Sequence, residues 1–162
     1  MKCGTEVAEE LSASLQDYLE AIYHIARKKG AARVKDIAER LEVSSPSVTG
    51  ALRALSEKGL VNYAPYDVVS LTEEGTEAAE AVVLRHETLH DFFVDVLKVD
   101  EEMAEDAACR MEHALPEELV DRFVEFTRFM DNCPYCGPKW DAKAGYSCEE
   151  RGPAGAEKQC LG

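Results

Sequence analysis

Cys109-x-x-Glu112-His113 sets a thiol, a carboxylate and an imidazole at positions i, i+3 and i+4. In a helix these positions share one face, with Cβ atoms about 5–6 Å apart. Three such donors can close on one cation. Two further groups have helical spacing, Asp17-x-x-Glu20 near the start of the chain and His86-x-x-x-His90 between. If the three groups meet, a metal ties the N-terminal segment to the middle of the chain, which is the chemistry of a switch. Each group also has a plainer reading. Asp17 and Glu20 fall in the first turns of a helix, where acids favour the dipole, and Ser14-x-x-Asp17 resembles a capping box. His86 and His90 lie on or beside an apolar stripe, where a buried histidine is ordinary. Cys109 can be a small core residue, and Glu112-His113 a solvated edge. Yet Glu112 and His113 adjoin Met111 and Leu115, and a charge in apolar surroundings needs a partner.

The elements that would position these groups emerge from periodicity. Leu15, Leu19, Ile22, Tyr23 and Ile25 mark an amphipathic helix over 14–29, ended by Gly30. A short helix over 34–41 and a tight turn at Glu42-Val43-Ser44 lead to a third helix, opened by Ser45-Pro46 and ended at Gly59. Extended runs at 60–63 and 68–71 flank Ala64-Pro65-Tyr66-Asp67 and predict a β-hairpin. Thr72 caps a long helix over 73–97, in which Gly75 is tolerated near the start. Asp100 caps another over 101–114, and Pro116 opens a third with Leu119, Val120, Phe123, Val124, Thr127 and Met130 inward. From Asn132 the periodicity vanishes and a tail is expected. The division is 1–72, 73–131 and 132–162.

Helix, short turn, helix and hairpin make a winged helix-turn-helix pattern. Its second helix would enter the DNA major groove tip first. The tip is Ser44, Ser45, Pro46, Ser47 and Thr49, with Arg53 further along and Arg33 and Lys35 beside it as phosphate contacts. It is poor in long bidentate readers, so shape and methyl contacts would supply much of the specificity.

The net charge of −14, taken alone, would exclude nucleic acid, but its distribution does not. Residues 1–72 hold 9 basic and 10 acidic side chains, net −1, and within them 21–63 hold 8 and 4, net +4. Residues 73–132 hold 5 and 18, net −13. Local charge decides what a surface attracts. No apolar run reaches the roughly 18–20 residues of a membrane span, so no membrane and a cytoplasmic place are expected. Six cysteines then point to ligands or reactive thiols more than disulfides. No nucleophile–base pair or phosphate loop appears, which argues against an enzyme.

Five segments together resemble the DtxR/MntR family of metal-dependent transcriptional repressors. They are Asp17-Tyr18-Leu19-Glu20-Ala21-Ile22-Tyr23, Val34-Lys35-Asp36-Ile37-Ala38, Ser47-Val48-Thr49, Leu84-Arg85-His86-Glu87 and Cys109-Arg110-Met111-Glu112-His113. The resemblance implies a mainly α protein, with a winged helix-turn-helix domain followed by a helical dimerisation domain. It also implies a homodimer on double-stranded operator DNA, gated by divalent metal. By the same resemblance Asp17 and Glu20 match ligands of the manganese branch, and Cys109 matches the iron branch. His86, Glu112 and His113 match ligands in both. His90 and Glu105 fall at ancillary-site positions of the iron branch, with histidine and glutamate exchanged. The set is a hybrid. A thiolate among carboxylates and imidazoles tilts it toward Fe²⁺, with Mn²⁺ next.

Cys133-Pro134-Tyr135-Cys136-Gly137 resembles the metal knuckle of rubredoxins and zinc ribbons. With Cys148 and Cys160 it could hold Zn²⁺ or an iron–sulfur cluster. Longer family members carry an SH3-like domain after the helices, for which thirty residues are too few. The rival reading is a winged-helix regulator that responds to redox, or to such a cysteine-bound centre, instead of free metal.

Overall fold

The computed structural model describes residues 4–64, 68–131, 137–143 and 145–149. The chain divides into two compact units, Met1–Leu84 and Arg85–Gly162.

In the first unit α1 (Gly4–Glu9) precedes α2 (Ala13–Lys29), α3 (Val34–Arg40) and α4 (Ser45–Glu57). Ser12, not Ser14, caps α2, its hydroxyl accepting from Leu15 N–H at 3.4 Å. Asp17 therefore lies in the second turn, and no capping box accounts for it. Gly30 ends α2 in the left-handed region, φ 84°, which costs glycine little. Glu42 takes φ 54° in the turn between α3 and α4. Ser44 caps α4 by accepting from Ser47 N–H at 3.3 Å, one residue earlier than the sequence suggests, with Pro46 in the first turn. Leu19, Ile22, Ile37, Val48, Leu52, Leu55, Leu60 and Val69 form a buried core. These are the inward positions of the three helices and the hairpin; the helical period selects the first six, and Leu60 and Val69 come from the extended runs.

The hairpin is shorter than its two extended runs. β1 (Val61–Asn62) pairs antiparallel with β2 (Ser70–Leu71), in register Val61↔Leu71 and Asn62↔Ser70. Val69 also bridges to Ala32, which fastens the wing to the α2–α3 loop. Residues 65–67 of the expected turn lie outside the described residues.

Helix α1 has no period to announce it in six residues. Tertiary contacts hold it: Gln16, buried, donates its amide N–H to Ala8 O at 2.7 Å and Leu11 O at 3.2 Å. Gly4 packs so close to α5 (Glu73–Asp91) that an added Cβ would sit 2.7 Å from the Glu77 carbonyl.

Thr72 caps α5 by accepting from Gly75 N–H at 3.0 Å, and donates its own hydroxyl to Gly59 O at 2.8 Å. The sequence treats Gly75 as merely tolerated. The structure corrects this, because a Cβ there would meet Leu60 O at 1.8 Å.

In the second unit the expected single helix over 73–97 is not regular. After Asp91 the chain widens into a π-helical turn, Phe92–Val96, where Leu97 N–H reaches back to Phe92 O at 3.1 Å. Phe92 then meets Phe123 of α7 (Glu117–Asp131), ring centroids 4.6 Å apart. Phe93 packs with Leu89 against Ala104 and Ala108 of α6 (Glu101–Met111). Asp100 caps α6, accepting from Met103 N–H at 3.0 Å. The helix ends at Met111, and 112–114 form a turn. The aperiodic tail contains structure the sequence reading missed. β3 (Gly137–Asp141) pairs antiparallel with β4 (Gly145–Glu149). Asp141 accepts from Lys143 N–H at 2.9 Å, a side-chain turn of the kind aspartate favours. Two five-residue strands are too short for periodicity to stand out beside glycines and prolines.

Candidate metal centre and nucleic-acid interface

In the first unit α4 presents a narrow exposed face. Ser44, Ser45, Pro46, Ser47, Gly50 and Arg53 are exposed, opposite buried Val48, Leu52 and Leu55. Ser44 and Ser47 hydroxyls lie 2.8 Å apart, and Thr49 Oγ1 donates to Ser45 O at 3.0 Å. These hydroxyls are engaged with their own turn, and each oxygen retains acceptor capacity. Arg33 and Lys35 are exposed at the start of α3.

Asp17 and Glu20 lie half-buried on α2. Glu20 Oε1 is 3.3 Å from His24 Nε2, one helical turn on. His24 escaped the sequence reading, although its i+4 spacing from Glu20 was a signal.

The second unit gathers the other candidates around α5 and α6. Ala104 and Ala108 keep α6 slim where it packs on Leu89, which brings its acidic residues within reach of the α5 histidines. His86 Nδ1 donates to Glu112 Oε2 at 2.6 Å, and its Nε2 to Glu105 Oε2 at 3.1 Å. The Glu112 hydrogen bond, opposed by burial and aided by the charges of Glu112 and Glu105, raises the His86 pKa to about 9. The ring is therefore an imidazolium at neutral pH, and both nitrogens donate. Glu112 is 1% exposed. Its Oε1 lies 3.2 Å from His113 Nε2 but has no hydrogen bond among the described residues.

His90 stacks on His86 with ring centroids 6.5 Å apart, and its Nε2 is 3.1 Å from Glu101 Oε2. Glu101 was also missed. It stands one turn before Glu105 on the same face, so spacing could have found it. A cavity of about 390 Å³ opens here, lined by His86, Glu87, His90, Asp91 and Glu105. Cys109 is exposed on α6, one turn from both Glu105 and Glu112. Cys133, Cys136 and Cys160 lie outside the described residues, and of Cys148 only the backbone, in β4, is described.

A carboxylate this buried, with one oxygen lacking a hydrogen bond among the described residues, is costly to keep charged even with the His86 imidazolium beside it. The same donors, carboxylate oxygen and imidazole nitrogen, suit a divalent transition metal. The residues present therefore fit a metal ion. A winged helix-turn-helix joined to a helical unit with such donors defines the class of metal-responsive DNA-binding regulators.

Comparison with known proteins agrees. Residues 10–69 match the iron dependent repressor N-terminal DNA binding domain, and residues 72–141 match the iron dependent repressor metal binding and dimerisation domain. The HTH-type transcriptional regulator MntR of Lysinibacillus sphaericus is 35% identical over 129 residues, covering 80% of this chain and 92% of that protein. An uncharacterized HTH-type transcriptional regulator of Methanocaldococcus jannaschii is 37% identical, over 72% of this chain and 94% of its own length. Among solved structures, a manganese-dependent transcriptional repressor in complex with manganese superposes with a TM-score of 0.65 at 32% identity, covering 82% of this chain. IdeR of T. acidophilum gives 0.63 at 27%, covering 76%. This chain spans 61% and 57% of those two chains. The chain belongs to the DtxR/MntR family of metal-dependent transcriptional repressors.

Proposed function

We propose that this chain is a cytoplasmic, homodimeric repressor that binds double-stranded operator DNA through residues 1–72 when divalent metal fills its ligand set, with 73–131 as the metal-binding and dimerisation domain. The observation that carries the reading is buried Glu112, held between His86 and His113 with one carboxylate oxygen lacking a hydrogen bond. Glu112, His86 and His113 are the core ligands, with Asp17, Glu20 and Cys109 joining them as the family resemblance implies. Glu105 and His90 are the ancillary pair. A bound cation supplies the positive charge that this strongly acidic ligand set lacks.

Until a cation is present, the His86 imidazolium is the counter-charge of Glu112, so metal binding must displace a proton from His86. We favour Fe²⁺ over Mn²⁺ as the activating metal because Cys109 offers a thiolate. The similarity to a manganese-dependent repressor favours the second ion.

DNA duplexes enriched by the purified protein from a random pool test this. Binding is expected with Fe²⁺ or Mn²⁺, and a chelator is expected to weaken it about 5–150-fold, the usual size of such coupling. Unchanged affinity after chelation overturns the metal-gated reading. In the same assay Cys109→Glu is expected to move the Fe²⁺/Mn²⁺ preference toward Mn²⁺, and an unaltered ratio removes Cys109 from the ligand set.

A further inference from the structure

Gly50 is a glycine that the fold does not need. Gly30 and Gly59 take positive φ, 84° and 76°, which other residues resist. Gly4 and Gly75 lie against backbone atoms that a Cβ would strike. Gly50 sits in mid-α4 with no positive φ, and beyond its chain neighbours and the backbone of its own helix no described residue lies within 4 Å of where its Cβ would be. A glycine inside a helix costs about 0.5–1 kcal/mol relative to alanine. At Gly50 no close packing among the described residues requires the missing Cβ.

Its position supplies a reason. Pro46, Gly50 and Arg53 fall at i, i+4 and i+7 and are all exposed, so Gly50 is the centre of the outward stripe of α4. On either side stand short side chains, Pro46 and Ser47, and then one long one, Arg53. Without a Cβ the helix backbone can approach an apposed surface closer by roughly one bond length, about 1.5 Å. Hydroxyls at Ser47 and Thr49 turned toward their own helix do not obstruct that approach.

We propose that Gly50 is a specificity-determining position, the point where the α4 backbone comes closest to the base edges in the major groove. There it meets a thymine methyl, the one apolar group that the groove offers. This rests on the DNA-binding reading above. Gly50 specifies by leaving room, and Arg53, Arg33 and Lys35 contribute the phosphate attraction that any sequence receives.

The test compares the full-length wild type, Gly50→Ala, Gly50→Ser and Arg53→Ala, all with Mn²⁺. The probes are a duplex enriched by the wild type from a random pool and an unselected duplex of equal length. Both Gly50 variants are expected to melt at or above the wild-type temperature. They are expected to lose roughly tenfold or more in affinity for the enriched duplex, the scale of one misread base pair, with affinity for the unselected duplex unchanged. Replacing the apposed thymine by deoxyuridine should weaken the wild type and leave Gly50→Ala little affected. Gly50→Ala that binds the enriched duplex as tightly as wild type overturns the proposal. So does parallel loss of melting temperature and DNA affinity in both Gly50 variants, which would make Gly50 structural. If the wild type enriches no sequence, or Arg53→Ala binds both duplexes unimpaired, the placement of α4 on DNA fails, and this inference falls with it.

Discussion

His86 and Glu112 hold one another through a 2.6 Å hydrogen bond, and the direction of the resulting pKa change fixes a pH dependence. Because the folded value is raised, to about 9 from 6.5, the pair stabilises the metal-free protein fully below about pH 6.5. That contribution is lost as pH climbs through about 9. Melting of the metal-free protein across this window should therefore show falling stability, and Glu112→Gln should flatten the decline. A slope unaltered by Glu112→Gln would remove the pair as its source. At this scale much of the site is legible in the sequence. Spacing and resemblance select His86, Glu105, Glu112 and His113, and the structure gathers them in the second unit. Glu101 and His24 also stand at helical spacing, one turn from Glu105 and Glu20, but a single acid or histidine beside a recognised ligand is easily taken for a solvated edge.

Among the elements, the register between the wing and α5 depends on a single missing methyl group. Thr72 links the two by accepting from Gly75 and donating to Gly59, and Gly75 then rests directly on the Leu60 carbonyl. Gly75→Ala must part those backbones. Overpacking of this kind typically costs about 1–3 kcal/mol, and the figure should lie at the upper end, since the obstructing atom is backbone and not a flexible side-chain end. Urea unfolding of the metal-free protein checks it, and a variant as stable as wild type would mean that the two segments part freely. The sequence could show that Gly75 lies near a helix start but not what lies across from it. The same limit hid α1, which owes its place to Gln16 and Gly4, and the β3–β4 hairpin. Strongly periodic α2 and α4 were readable, because their inward residues repeat every 3.6 positions; in α7 the period holds for Val120, Phe123, Val124, Thr127 and Met130, but Leu119, expected inward in its first turn, is exposed.

For the whole molecule, two exposed aromatic rings adjoin on α7 among the described residues. Phe126 and Phe129 are 47% and 61% exposed, their rings continuing the series from Phe92 and Phe123. Adjoining apolar surface of this kind is seldom left to water. This chain matches a dimerisation domain, and a second copy seated here would cover both rings. Phe129→Glu is expected to weaken self-association at least tenfold in sedimentation and to lower DNA affinity with it. A variant that stays dimeric places the seam elsewhere. Net charge misleads at this scale, since −14 is the sum of a nearly neutral DNA-facing part and a strongly acidic remainder.

The π-helical turn at Phe92–Val96 has a consequence for how such a chain can change over time. Its hydrogen bond spans one residue more than that of an α-helix, and each residue added to or removed from a helix rotates the downstream chain by about 100°. Upstream of it His86 and His90 reach the acids of α6, and within it Phe92 finds Phe123. The turn absorbs the phase difference between these two demands. A substitution in the histidine segment then leaves the alignment of the phenylalanines in place, and the converse holds as well. A deletion of one residue here would regularise the helix and force the two ends to evolve as one.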